Sequence, residues 1–243
     1  MTQESYYSIL NSDGSLKSAD ELKDIFVTET MVIDSRLGDH IVTLDELRNR
    51  QKLESLSRFG FDPVIDQNKP YNQKMVASHL ERYDVHMAKY IYYAHVILTF
   101  IVFENRLISF GKTMKLINGG QEFDPEKRCP DKANDNIIGR FEAYLKICNI
   151  PCPDSESIND LRIVRNCLVH ANGNVLGLKR VQDLERLKEL APRIRGLKID
   201  SNNVLCIDAE ACLILQESMR RYFFDLMDAS GFYISIPIDR NSL

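Results

Sequence analysis

The residues best placed to do chemistry lie on one predicted helix, Ile158-Asn-Asp-Leu-Arg-Ile-Val-Arg-Asn-Cys-Leu-Val-His170. At about 100° per residue, Leu161, Val164 and Leu168 fall on one side, with Ile163 and Cys167 widening the same arc, and that side reads as core. Arg165, Arg162, Asn166 and His170 fall on the other side across about 140°, with Val169 the only apolar residue among them. Two guanidiniums, a carboxamide and an imidazole therefore share one face. Arg162, Asn166 and His170 also follow one another at i to i+4 steps. An imidazole takes up or gives up a proton near neutral pH, and a guanidinium offers a planar fork matched to phosphate oxygens, so the face suits proton transfer beside a bound phosphate.

The same residues have plainer readings. His170, next to Asn172-Gly173, is placed as a cation at the negative end of its helix. Arg162 and Arg165 can pair with Asp160 or Glu156 at the surface, and for Arg162 this is the better reading.

The elements that must position this face can be traced along the chain. Residues 1–66 read as a helical appendage: a short helix from Ser18, then a helix opened by Thr43 with Glu46 three residues later, the pattern of a reciprocal capping box. Gly60, Pro63, Asn68 and Pro70 mark a linker to a main domain over 71–243. Over 71–118 apolar residues recur at helical spacing for longer than one globular helix usually runs, which calls for a bend or break near Asp84. Further helices are expected over 134–149, from a cap at Asp154 or Ser155 to His170, over 178–190 and over 210–228. Segments 196–200 and 204–207 flank an Asn-rich turn and read as a small hairpin. The expected class is mostly α, an up-and-down helical bundle with that hairpin before the last helix.

An arginine followed by a polar residue, with a histidine five positions after the arginine and a helix terminator behind it, resembles the motif of the HEPN family of helical nucleases. Here it is Arg165-Asn166-Cys-Leu-Val-His170, leading into Ala-Asn-Gly. Two more features are similar: a long preceding helix bearing Phe103-Glu104-Asn105, and a hairpin before an amphipathic closing helix. The resemblance spans residues 75–228 and leaves the first seventy without a counterpart. It implies metal-independent cleavage of RNA, without a cofactor, at a site completed where two protomers of a homodimer bring their motifs together.

In that setting His170 moves the proton of a ribose 2′-hydroxyl. Arg165, helped by Arg162, holds the charge developing on the phosphate, and Asn166 orients the imidazole or a phosphate oxygen. Glu104 would hold Arg165 or His170 from the neighbouring helix, although a structural ion pair is the plainer reading of that carboxylate. The resemblance further implies a toxin or defence effector governed by an antitoxin or other regulatory protein. Its non-catalytic alternatives are a dimerisation or partner-binding domain, and a nucleotide-sensing module that holds a phosphate without cleaving it.

Composition sets limits on these readings. With 44% apolar and 27% charged residues, the chain belongs with folded globular proteins rather than disordered ones. A net charge of −4 excludes a general basic field, so any RNA contact must be local. The first ten residues carry no secretory pattern, and the apolar run over 90–103, interrupted by His95, falls short of the roughly 18 residues of a membrane span. It reads as a buried core helix of a cytoplasmic protein with no membrane partner. Six cysteines without zinc-ligand spacing read as reduced core thiols, with no metal. His79, Tyr83, His86 and Tyr90 form a stripe that reads as a helix interface.

Overall fold

A computed structural model of the chain describes residues 9–58, 70–127 and 135–232, with the side chains of 70–73 excepted. The architecture is mostly helical, as expected. Helices α1 (Ala19–Arg58), α2 (Pro70–Glu81), α3 (Ala88–Asn118), α4 (Ile137–Ile147), α5 (Glu156–Ala171), α6 (Val181–Leu190) and α7 (Ala209–Ala229) are accompanied by one antiparallel hairpin. Its strands, β1 (Leu197–Ile199) and β2 (Leu205–Ile207), pair Leu197 with Ile207 and Ile199 with Leu205. The linker expected around Gly60, Pro63 and Asn68 and the cysteine at 129 lie outside the described residues.

Two expectations about helix continuity change. Thr43 and Glu46 lie inside α1 and do not open a helix; the reciprocal cap is made instead by Ser18 and Glu21, where the Ser18 backbone N–H donates to Glu21 Oε2 at 2.8 Å. Buried Leu37 and Ile41 hold α1 against its neighbours through the region where a break was expected, which outweighs the local capping signal. Near Asp84, where a bend or break was expected, a π-helical segment, Arg82–Met87, joins α2 to α3 without ending the helix. The uninterrupted run Lys74–Asn118 is consequently long and apolar enough to cross a membrane by length and composition, contrary to the shorter reading. Half of its most apolar window is buried inside the protein.

The chain divides into two compact units. One comprises residues 1–34, 101–156 and 219–243. Its core is aromatic: Phe26 meets Phe110 and Phe232 edge-on at 5.5 and 5.7 Å between ring centroids, and Phe141 meets Phe110 and Phe123 at 5.7 and 5.0 Å. Arg106, buried here, pairs with Glu29 at 2.9 Å, donates to the Phe26 carbonyl and Thr30, and lies over the Phe26 ring. Gly111 lets the backbone of Phe123 approach: an added Cβ would stand 2.9 Å from the Phe123 amide nitrogen. Gly111→Ala is therefore expected to lower unfolding stability by about 1–3 kcal/mol, the usual cost of overpacking, measured by denaturant melts.

The second unit, residues 35–100 and 157–218, holds α5, α6, the hairpin and the segments of α1, α3 and α7 around them. Asp45 of α1 accepts from the Tyr92 hydroxyl and from Arg48, while Arg48 and Lys52 both reach Asp84 in the π-helical segment, at 3.1 and 2.6 Å. His95 is buried on α3, its ring stacked with that of His40 on α1 at 6.4 Å between centroids. Neither of its ring nitrogens has a hydrogen-bond partner among the described residues. Of the cysteines, Cys167 and Cys212 are core thiols; Cys148 and Cys206 are half-buried and Cys152 is exposed, so the core reading holds for only part of the set.

Candidate functional site

Helix α5 forms where the sequence places it. The Asp154 carboxylate accepts the backbone N–H of Glu156 at 3.1 Å, and Leu161, Ile163, Val164, Cys167 and Leu168 are all buried. The helix closes on two left-handed residues, Asn172 (φ 50°) and Gly173 (φ 80°), with the Gly173 N–H donating to the Cys167 carbonyl at 3.0 Å. Tertiary contacts then pin this end. Leu205 donates to the Gly173 carbonyl at 2.8 Å, Val175 to the Asn203 carbonyl at 2.9 Å, and the Tyr93 hydroxyl of α3 donates to the Leu205 carbonyl.

A methyl group on Gly173 would collide with the Tyr93 ring and hydroxyl in a backbone conformation that side chains already disfavour. Gly173→Ala is expected to cost at least about 2 kcal/mol, the sum of a left-handed penalty and overpacking, in the same denaturant measurement. Tyr93→Phe, which loses only the hydroxyl, is expected to recover part of that loss in the double variant.

On the polar face, the structure brings together Arg165, Asn166 and His170. The Arg165 guanidinium lies over the Phe100 ring, 5.4 Å from its centroid. Its Nη1 donates to Asn166 Oδ1 at 3.1 Å and stands 3.5 Å from His170 Nε2. Donor and acceptor match when Nε2 presents its lone pair and the ring proton sits on Nδ1, a tautomer assigned from this contact. His170 itself is exposed.

Arg165 forms no ion pair with a carboxylate among the described residues, and its Nε is buried without a partner. The other guanidiniums along α5 are neutralised. Arg162 meets Asn159 at 3.2 Å and Asp183 of α6 at 3.4 Å, and Arg186 of α6 grips Asp160 through two contacts of 2.7 and 2.9 Å.

The structure gives the other candidate residues the following contacts. Arg162 turns away from the Asn166–His170 line and serves the α5–α6 packing; its partner is Asp183 because Asp160 is occupied by Arg186. Asn166 holds the Arg165 guanidinium rather than the imidazole. Glu104, half-buried on α3, belongs to the other compact unit, and a part for it beside Arg165 rests on the resemblance alone. The Cys167 thiol, next in line on the helix, is pushed up to about 11 by burial and is no nucleophile at neutral pH.

Phe100 and Asp183 are not singled out by the sequence. Phe100 reads there only as core within the apolar run, and no spacing rule connects it to residue 165. In the same unit as the polar face, α3 exposes Tyr90, Ala94 and Leu98 at i, i+4 and i+8, and α5 exposes Val169.

Comparison with known proteins adds no relative: no family model matches the chain, and neither does any curated protein or solved structure.

Proposed function

We propose that this chain is a cytoplasmic, metal-independent endoribonuclease of the HEPN type, acting as a homodimer and serving as a toxin or defence effector under an antitoxin or other regulator. The observation that carries the reading is the Arg165–His170 pair: a guanidinium in no ion pair among the described residues, seated on an aromatic ring, and joined to an exposed imidazole on the same helix. A guanidinium in that state is a ready anion site, and the adjoining imidazole supplies proton transfer. The exposed stripe of Tyr90, Ala94 and Leu98 supports the dimer, because a contiguous apolar helix face favours burial against another surface.

In the reaction, His170 accepts the proton of a ribose 2′-hydroxyl as its oxygen bonds to the adjacent phosphorus. The bond from phosphorus to the 5′-oxygen breaks, and that oxygen takes a proton from the imidazolium of the second copy's motif. The products are a 2′,3′-cyclic phosphate and a 5′-hydroxyl. Arg165 donates to the non-bridging oxygens as their charge grows, with Asn166 keeping its fork in register.

The test is incubation of the protein and of His170→Ala with mixed single-stranded RNA in the presence of chelator. Cyclic-phosphate ends are expected from the parent alone; cleavage by both proteins, or by neither, removes the nuclease reading. Nucleotide or RNA binding without cleavage would instead assign the pair to holding a phosphate. Solution mass reports on the dimer, since a monomer leaves each site with a single imidazole.

A further inference from the structure

Helix α3 carries a second polar cluster that the proposed reaction does not use. His95 and Phe100 are five residues apart, about 140° round the helix, so His95 turns well away from the ring that seats Arg165. Three helices of the second unit meet there: α3 brings His95, α1 brings His40 and α7 brings Gln216. His95 is 1% exposed and Gln216 6%, whereas His40 is exposed, so the cluster runs from the interior to the surface. Gln216 also lies against the stretch of α1 that bears His40. A Cβ added at Gly38, two residues before His40, would stand 3.7 Å from Gln216 Nε2 and 4.0 Å from its Oε1.

A buried imidazole is neutral, and its lone pair and its N–H each ordinarily end on a partner. Neither nitrogen of His95 meets a hydrogen-bond partner among the described residues, and the ring it faces is another imidazole. The His40 and His95 centroids stand 6.4 Å apart with their planes 22° from parallel. Two rings that each turn a nitrogen to one ion, at about 2.0–2.1 Å, have centroids roughly 5 to 6.5 Å apart, so one ion fits between these two. The Gln216 amide oxygen supplies a third donor from the third helix, and the exposed side at His40 leaves a fourth position to water.

We propose that His40, His95 and Gln216 bind a zinc ion that ties α1, α3 and α7 together. Imidazole nitrogens favour zinc and its transition-metal neighbours over magnesium or calcium, and a tetrahedral set of nitrogen and oxygen ligands is zinc's own geometry. Among the described residues no three His, Cys, Asp or Glu side chains gather as a metal set, so the site depends on the amide as its third ligand. The ion has no part in the cleavage proposed above, and the site stands whether or not the Arg165–His170 pair cuts RNA.

The experiment strips the full chain with chelator, removes the chelator, and titrates the protein with zinc and with cobalt(II), whose visible absorption reports its ligand geometry. One ion per chain is expected, with a tetrahedral cobalt spectrum and a melting temperature raised by zinc. His40→Ala removes an exposed ligand and leaves the interior intact; it is expected to weaken binding by at least about tenfold and to abolish the zinc-dependent rise in melting temperature. Gln216→Glu puts a carboxylate oxygen in place of the amide oxygen and is expected to tighten binding, which a merely structural glutamine would not do. No bound ion in the parent, or equal affinity in the parent and His40→Ala, overturns the site. So does a Gln216→Glu protein that melts with the metal-free parent and holds zinc no more tightly; should that variant fail to fold, His40→Ala decides alone.

Discussion

Arg165→Lys is expected to depress RNA cleavage almost as far as Arg165→Ala, on the order of 10²–10³ in kcat, the range for loss of one fixed donor to a developing oxyanion. The reason is geometric. Arg165 uses a single planar group to lie over Phe100, to donate to Asn166 and to reach His170 Nε2, and its Nε is buried as well. A lysine ammonium keeps the charge but has neither the plane nor the fork, so it cannot meet the ring, the amide and a phosphate at once.

Asn166→Ala is expected to cost less than either substitution, because it removes the brace and leaves the donor. Single-turnover cleavage of one defined RNA by the three variants ranks them. Full activity in Arg165→Lys would mean that charge alone matters and that the stacked geometry is incidental.

Acidification is expected to unfold the protein through His95. Burial, and then the neighbouring His40, hold this imidazole well below its ordinary value of 6.5, at about 4; the Gln216 amide opposes the shift only in part and stops short of a hydrogen bond to either ring nitrogen. The folded state thus binds the proton less readily than the unfolded chain. The stabilisation is complete above about pH 6.5, is lost progressively as pH falls towards about 4, and amounts to about 3 kcal/mol across that window.

Denaturant melts at a series of pH values measure it directly. In His95→Leu, which fills the site without a titrating group, the decline between those limits is expected to be shallower than in the parent by about that amount. Parallel curves for parent and variant would show that the buried imidazole does not govern acid sensitivity.

Much of the helical architecture was legible because it depends on short-range rules. The core side of α5 follows from 100° steps, and its ends follow from an acidic cap and an Asn-Gly stop; both appear in the structure as Leu161, Val164 and Leu168 buried, Asp154 capping and Gly173 left-handed. The small hairpin was likewise written in two apolar segments around an Asn-rich turn. The Thr43–Glu46 box misled because a capping box is a local preference, and α1 runs on under the packing of Leu37 and Ile41.

For the site, sequence alone determined that Arg165, Asn166 and His170 share a helix face with their apolar neighbours turned inward, since covalent connection and helical pitch fix those angles. Tertiary structure alone decided what each polar group does there. Asp183 and the occupied Asp160 draw Arg162 away, Phe100 receives the Arg165 guanidinium, and Arg165 makes no ion pair among the described residues. These outcomes depend on which groups from distant stretches of chain arrive within a few ångströms, and side chains roughly 20 to 65 residues apart have no spacing rule to announce them.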